Sequence, residues 1–484
     1  MRKRAAVVGG GFGGLTAAGV LARAGLEVTL FEAQPSLGGK AQHLHLEGVR
    51  LDTGPTLLAM PGVVRDTFAA IGAADLSPRL LELPLQCTYR FADGRRFRAW
   101  RDLERMADEA AALDPAEGAG LRAFYAEAAA LWRAAGEPYL EAPFEGMAGF
   151  MLRVARRGPA AVLRGMGMGT LAALAEKHLR TPALRQFVGR FATYVGASPE
   201  QVSAAFALIP HLERAEGVWH AEGGMGALVD ALARGLGRLG VRIATGMPAR
   251  WTPRGAGFLV GPTGGEIEVD TVVVNADPDG DAARGPLALS GYVLLLGVPR
   301  RLALPHHMVW FSADYAREFA QLFAGHPADD PTVYACHPVA TDAGMAAGGQ
   351  SGLFVMANAP TLPPGGAAAG PERSGDAERW PHAGRMRAQC LARLDAELPG
   401  LASEAVVLGE RTPADFAREG APRGSLYGFL PRGRFGPFRR PRMRGTPPGL
   451  FFAGGGTHPG GGVPMVMLSG RFAAGLALAH VGGS

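Results

Sequence analysis

The chain has 484 residues, 48% of them hydrophobic, and 49 Lys and Arg against 44 Asp and Glu give a net charge of +5. That length exceeds what a single core usually serves, so two or more domains of a soluble globular protein are expected. The modest charge, with no dense Lys/Arg block among aromatics, argues against nucleic acid as a partner. Three isolated cysteines (Cys87, Cys336, Cys390) without CxxC spacing argue for a reducing compartment and against a disulfide scaffold or a zinc site.

The N-terminus, "MRKRAAVVGGGFGGLTAAGVLARAG", has the basic start and apolar run of a signal peptide. Glycines interrupt that run, however, and it leads straight into "LEVTLFEAQ", so it reads as mature protein. Ala5–Val8 reads as a short strand, Leu15–Ala24 as a helix stopped by Gly25, and Glu27–Phe31 as a second strand. Gly9, Gly11 and Gly14 form G-x-G-x-x-G between strand and helix, and Glu32 ends the next strand, eighteen residues beyond Gly14. Gly9 permits the tight turn, Gly11 lets a pyrophosphate approach the backbone, and Gly14 lets helix and strand pack closely. The helix N-terminus then faces phosphate charge, and Glu32 accepts ribose hydroxyls. This unit points to a dinucleotide without choosing between NAD and FAD. A second glycine pair beside a cation (Gly38, Gly39, Lys40) and the turn "LDTGPT" could extend along an adenosine diphosphate toward a flavin ring, or be two exposed loops.

Roughly Leu103–Leu212 is Ala/Leu/Arg-rich with helical spacing. Within it, "FMLRVARR" (Phe150–Arg157) places Phe150, Met151, Leu152, Val154 and Ala155 on one arc of a helical wheel. Arg153, Arg156 and Arg157 occupy the other arc, as in a basic amphipathic helix on an anionic membrane or an ordinary helix with a solvated face. "GVRIATG" and "GEIEVDTVVVNADP" return to β patterning. A mixed segment follows from about Gly291 to Leu408, holding the Gly/Pro/Ala-rich stretch Ala359–Gly375, which reads as a mobile surface loop. The apolar run around Leu287–Val298 is too short to span a bilayer, and no other span is expected. His306–His307 has no third metal ligand at useful spacing. Near the end, "FFAGGGTHPGGGVPMVMLSG" puts six glycines into Gly454–Gly462, ahead of a helix expected over Ser469–His480. Such density means that something must approach the backbone closely. His458, inside it, reads either as a proton relay or as a structural histidine bonded to a backbone carbonyl. Met465 and Met467 read as packing residues.

Taken together, "GGGFGGLTAAGVLARAGLEVTLFE", "GGK", "LDTGPT", "EGGMGALVDALARGLGRLGVRI", "VVVNADP" and the glycine segment resemble, in this order, the phytoene desaturase family of the flavin amine oxidase-like group. "HPGGGVPMVMLSG" is similar to the branch that includes the hydroxyneurosporene and carotenoid 3,4-desaturases. The resemblance implies a discontinuous Rossmann-type FAD-binding domain (1–85, 213–285 and 409–484). Into it are set a helical substrate- and membrane-associated insert (86–212) and a mixed-sheet substrate part (286–408). It implies Gly455 and Gly456 by the phosphates, Val463, Pro464 and Met465 by the flavin ring, Gly54, Pro55 and Thr56 across from them, and Ala249 by the adenine. Lys40 stands where arginine is common, and Ala249 where valine is common. Neither change should abolish binding, since one keeps its charge and the other acts through its backbone. The implied activity is FAD-dependent desaturation of an acyclic carotenoid: a hydride goes to the flavin and a proton leaves the adjacent carbon. The implied bond is C-3,4 of a 1-hydroxylated substrate. Oxygen or a membrane quinone is the expected acceptor, and the cytoplasmic face of a membrane the expected place. Phytoene desaturation, another flavin oxidase (of amines or porphyrinogens) and a non-enzymatic binder of prenylated proteins remain the alternatives.

Overall fold

In the computed structural model, residues 2–159, 169–276, 286–364 and 380–483 are described. The loop reading of Ala359–Gly375 lies largely outside them, as do the last two residues of "VVVNADP".

Two large sheets organise the chain. The first is parallel and five-stranded, in the order Leu450–Phe452, Thr271–Val274, Arg4–Val8, Glu27–Phe31, Arg242–Ala244. Its strands come from three distant parts of the sequence, because a parallel ladder needs crossovers long enough to return the chain. Val272, Val273 and Val274 pair with Ala6, Val7 and Val8, a continuous apolar run of the kind found in a strand covered on both faces. Helices Phe12–Arg23, Gly224–Arg238 and Val463–Gly482 pack around it. Between its outer strand Arg242–Ala244 and the strand Thr271–Val274, the chain makes a three-stranded antiparallel meander (Arg250–Arg254, Gly257–Gly261, Ile267–Val269).

The second sheet has seven strands, in the order Val406–Arg411, Ser290–Val298, Ser351–Ala359, Val333–Cys336, His307–Trp310, Leu85–Arg90, Arg96–Trp100. The segment 86–212, expected to be helical, thus opens with a hairpin that completes this sheet. Tyr89 and Phe97 fill it from within, and neither the alternation nor the aromatics of "CTYRFADGRRFRAW" suit a helix. The strand Val406–Arg411 also runs across the expected division at 408.

The C-terminal helix begins at Val463 rather than Ser469, since Pro464 stands in its first turn, where a missing N–H costs nothing. It is 20 residues long and apolar enough to cross a membrane by length and composition. One side is core nevertheless: Met467, Gly470, Ala473, Ala474 and Ala477 are buried against the first helix. A Cβ on Gly470 would come within 2.2 Å of the Gly13 carbonyl oxygen, so the helices cross at glycine.

Candidate flavin and substrate cavity

The glycine turn after the first strand is built by contact. A Cβ on Gly14 would meet the Gly9 carbonyl oxygen at 1.9 Å, so this glycine sets helix against turn and does not itself line the cavity. Gly11 caps the helix from extended backbone without a side-chain cap, leaving its first N–H groups directed outward. Glu32 lies 7% exposed at the end of the second strand. Its Oε2 accepts from Gly10 N (2.6 Å) and its Oε1 from Gln34 N (2.7 Å), which fixes the carboxylate while each oxygen keeps a further lone pair for a ribose.

The "LDTGPT" turn has two jobs. Asp52 caps the Gly224–Arg238 helix by accepting from Met225 N (2.8 Å) and Gly226 N (3.0 Å). Burial pushes its carboxyl up to about 6, against those two bonds. Gly54 crosses so close to the chain that a Cβ would sit 1.7 Å from the Lys40 carbonyl oxygen, which brings Pro55 and Thr56 opposite Gly39 and Lys40. Lys40 Nζ donates to the Leu426 carbonyl (3.1 Å). The C-terminal glycine segment is pinned from outside: Gly454 N donates to Ser469 Oγ (3.1 Å), and Arg440 Nη1 donates to the Gly455 carbonyl (2.9 Å).

These pieces line one cavity of about 800 Å³. It brings together Gly9, Gly11, Glu32, Gly39, Lys40, Gly54, Pro55, Thr56, Ala249, Gly455, Val463, Pro464 and Met465. Of the expected residues, Gly14 and the buried Gly456 lie behind the wall. The donor set suits a dinucleotide with a flavin: uncapped helix N–H groups and bare glycines for a pyrophosphate, a fixed carboxylate for a ribose, an apolar rim for a ring. Asn275, at the C-terminal end of the strand Thr271–Val274, lines the same turn, and its buried Oδ1 has no partner. An orphaned buried amide oxygen marks a place made for a ligand or water. The sequence reading passed over Asn275, although its place at a strand end, where doubly wound sheets bind nucleotides, was a usable signal.

Beyond the Thr56 end the cavity continues between helices, lined by Leu131, Trp132, Phe206, Ile209 and Leu212. A short π-helical stretch, Trp132–Gly136, forms part of that wall. From Thr56 a hydrogen-bonded line leads inward: Thr56 Oγ1 to Tyr334 Oη (2.7 Å) and on to His307 Nδ1 (2.8 Å). Burial lowers the His307 imidazole to about 3, so it stays neutral at ordinary pH.

One histidine reading changes and another narrows. His306 and His307 do have a third partner in space: Cys336, from the neighbouring strand, completes a buried group whose ligand atoms lie within 4.8 Å of one another. Antiparallel pairing joins residues far apart in sequence, which spacing does not show. His458 does not line the cavity. It is 3% exposed, with ring centroids 4.5 Å from Tyr139 and 5.7 Å from Phe472, and burial takes it down to about 3. Its place is structural.

Comparison with known proteins agrees with this geometry. The family described as flavin containing amine oxidoreductase matches residues 12–288. A hydroxyneurosporene desaturase of Cereibacter sphaeroides is 36% identical, over 98% of this chain and 97% of its own. A zeta-carotene-forming phytoene desaturase of Myxococcus xanthus is 31% identical, over 97% of this chain and 92% of its own. Among solved structures, cyclohexylamine oxidase of Brevibacterium oxydans superposes with a TM-score of 0.64 at 14% identity, covering 100% of this chain and 99% of its own. That last likeness is one of fold.

Proposed function

The chain belongs to the flavin-containing amine oxidoreductase family, FAD-dependent oxidoreductases, and from that premise we propose that it desaturates an acyclic carotenoid. The observation that carries this reading is the single cavity running from the dinucleotide cradle into an apolar chamber. A polyene offers few polar handles, so shape and apolar burial must recognise it, and burial of apolar surface is favourable at about 25 cal/mol per Å². FAD, when bound, supplies the two-electron acceptor that takes a hydride from an allylic carbon.

The chain's own residues do the rest. Gly11 and the first helix N-terminus would hold the pyrophosphate, and Glu32 the ribose. Val463–Met465 and Gly54–Thr56 would bracket the ring. Leu131, Trp132, Phe206 and Leu212 would orient the polyene and exclude water. Thr56 Oγ1, backed by Tyr334 and the neutral His307, offers a polar atom that can pass on a proton released beside the ring.

The bond we assign is C-3,4 of a 1-hydroxylated carotenoid. The greater identity to the hydroxyneurosporene desaturase than to the phytoene enzyme supports it (36% against 31%). We also assign a peripheral place on the cytoplasmic face of a membrane, where the substrate dissolves, and reoxidation by oxygen or a membrane quinone. Expression in a carotenoid-producing host, with pigment analysis, tests the assignment. A new double bond next to the hydroxylated end supports it. Efficient multi-step conversion of phytoene, with no action on the hydroxylated substrate, moves the chain to the phytoene branch.

A further inference from the structure

Charged groups in an apolar wall are costly unless something uses them. Arg190 and Glu213 line the cavity all the same, at 8% and 6% exposure. Tyr194 joins them: Arg190 Nη2 donates to Tyr194 Oη (3.2 Å), and Tyr194 in turn donates to Glu213 Oε1 (2.6 Å). The guanidinium lies over the rings of Phe191 (4.8 Å) and Tyr194 (5.1 Å), which fixes its plane. Its Nε is buried and has no partner. Burial raises the Glu213 carboxyl above its ordinary value, against the opposing pull of Arg190 and the Tyr194 hydroxyl. A buried cluster is most favourable when all its donors are met, since a buried donor without a partner bears its full desolvation cost. This one leaves a donor open.

Its position matters as much as its chemistry. The Tyr427 ring lies 2.9 Å from where a side chain on Gly196, two residues beyond Tyr194, would begin. The same ring lies 3.5 Å from where a Gly461 side chain would begin, in the glycine segment. The cluster therefore flanks the ring end of the cavity rather than a remote tip.

We propose that Arg190, Tyr194 and Glu213 form a subsite for the terminal tertiary hydroxyl of the polyene. The inference rests on the carotenoid reading above and deepens it. A hydroxyl both accepts and donates: Arg190 Nε–H would donate to its oxygen and Glu213 would accept its proton, which satisfies both charged groups. An unsubstituted hydrocarbon end would leave them unmet, and buried sites built around a hydroxyl reject analogues that lack it. The hydroxyl on C1 is only two carbons from C3, so holding it beside the ring sets the register of the bond to be oxidised.

The test uses purified flavoprotein and a pair of acyclic carotenoids, identical except for the C1 hydroxyl, in detergent micelles. Two quantities are read for each: kcat/KM, and affinity from quenching of protein and flavin fluorescence. The wild-type chain is expected to prefer the hydroxylated member by roughly tenfold or more, and Arg190→Met and Tyr194→Phe to bring that ratio toward one through KM. Tyr194→Phe removes a single oxygen and decides the matter if Arg190→Met does not retain flavin. A wild-type ratio near one, or a ratio unchanged in both variants, overturns the subsite. If neither carotenoid is oxidised, the carotenoid-desaturase reading falls, and the affinity ratio alone decides: equal affinities overturn the subsite, and a preference abolished by Tyr194→Phe sustains it.

Discussion

At the residue scale, the flavin cradle depends on side chains that are missing. Gly11 adopts extended backbone (φ −74°), which valine also adopts, and the nearest protein atom to an added Cβ is Asn275 Nδ2 at 3.1 Å. Gly11→Val should therefore fold with a normal circular dichroism spectrum while FAD content falls by roughly tenfold or more, since the branched side chain takes the pyrophosphate's space. Flavin content equal to wild type would remove the dinucleotide turn from the site. His458 gives a second prediction, this time for stability. Its folded value is about 3 against an ordinary 6.5, with burial the leading cause. The native state then holds fewer protons than the unfolded chain, so the stability this neutral ring supports is complete above pH 6.5 and is lost as pH falls toward 3. One such group contributes a slope of about 1.4 kcal/mol per pH unit. Denaturant titrations of wild type and His458→Phe between pH 7 and 4.5 should show the wild-type curve falling more steeply by about one proton. Parallel curves would mean that the imidazole titrates normally.

At the element scale, the helix Met147–Ala155 illustrates what a helical wheel misses. Phe150 and Val154 turn inward onto Tyr139 and Phe438, whereas Leu152, from the same arc, is 58% exposed. Arg153 Nε is tied to the Pro138 carbonyl (2.9 Å), and Arg157 pairs with Glu137 (3.2 Å). The exposed set, the one a membrane would meet under the peripheral placement proposed above, is thus Met147, Leu152 and Arg156, rather than the three arginines together. Leu152→Ser combined with Arg156→Gln should weaken binding to anionic liposomes several-fold with flavin content kept, because an apolar anchor and a basic contact are lost together. Unchanged liposome binding would exclude this helix as the contact. The contrast with the first fifty residues shows which parts of the fold can be read from sequence. There each function is local: Gly9, Gly14 and Glu32 act within one strand–turn–helix–strand unit, and the second strand begins and ends where the alternation of "EVTLF" does. The hairpin Leu85–Trp100 is legible in its own alternation, but its pairing with His307–Trp310, the Cys336 partner of His306 and His307, and the link from Tyr194 to Glu213 on another helix join separate elements, so no local pattern announces them.

At the scale of the whole molecule, the cofactor site is assembled from pieces that the chain itself joins only at long range. Gly9–Glu32, Gly54–Thr56, Ala249, Asn275 and Gly454–Met465 meet around one cavity, and the sheet beneath them borrows its edge strand, Leu450–Phe452, from the last forty residues. A ligand bridging such segments favours the state in which all are in place and has no matching site in the unfolded chain. Its stabilisation grows as RT ln(1 + [L]/Kd), about 2.7 kcal/mol at a hundredfold excess over the dissociation constant. No cysteine contributes to this wall: Cys87, Cys336 and Cys390 are buried, and burial raises each thiol, to about 12 for Cys87 and Cys390, far from the reactive thiolate a covalent flavin link would need. His458 is likewise turned away from it. FAD should therefore be held without a covalent bond. Acid or heat should release free FAD into the supernatant, and the apoprotein should melt several degrees lower, with Tm rising in proportion to the logarithm of added FAD. Flavin that stays with the denatured chain would refute non-covalent binding, and an apoprotein with unchanged Tm would show that these segments close without their ligand.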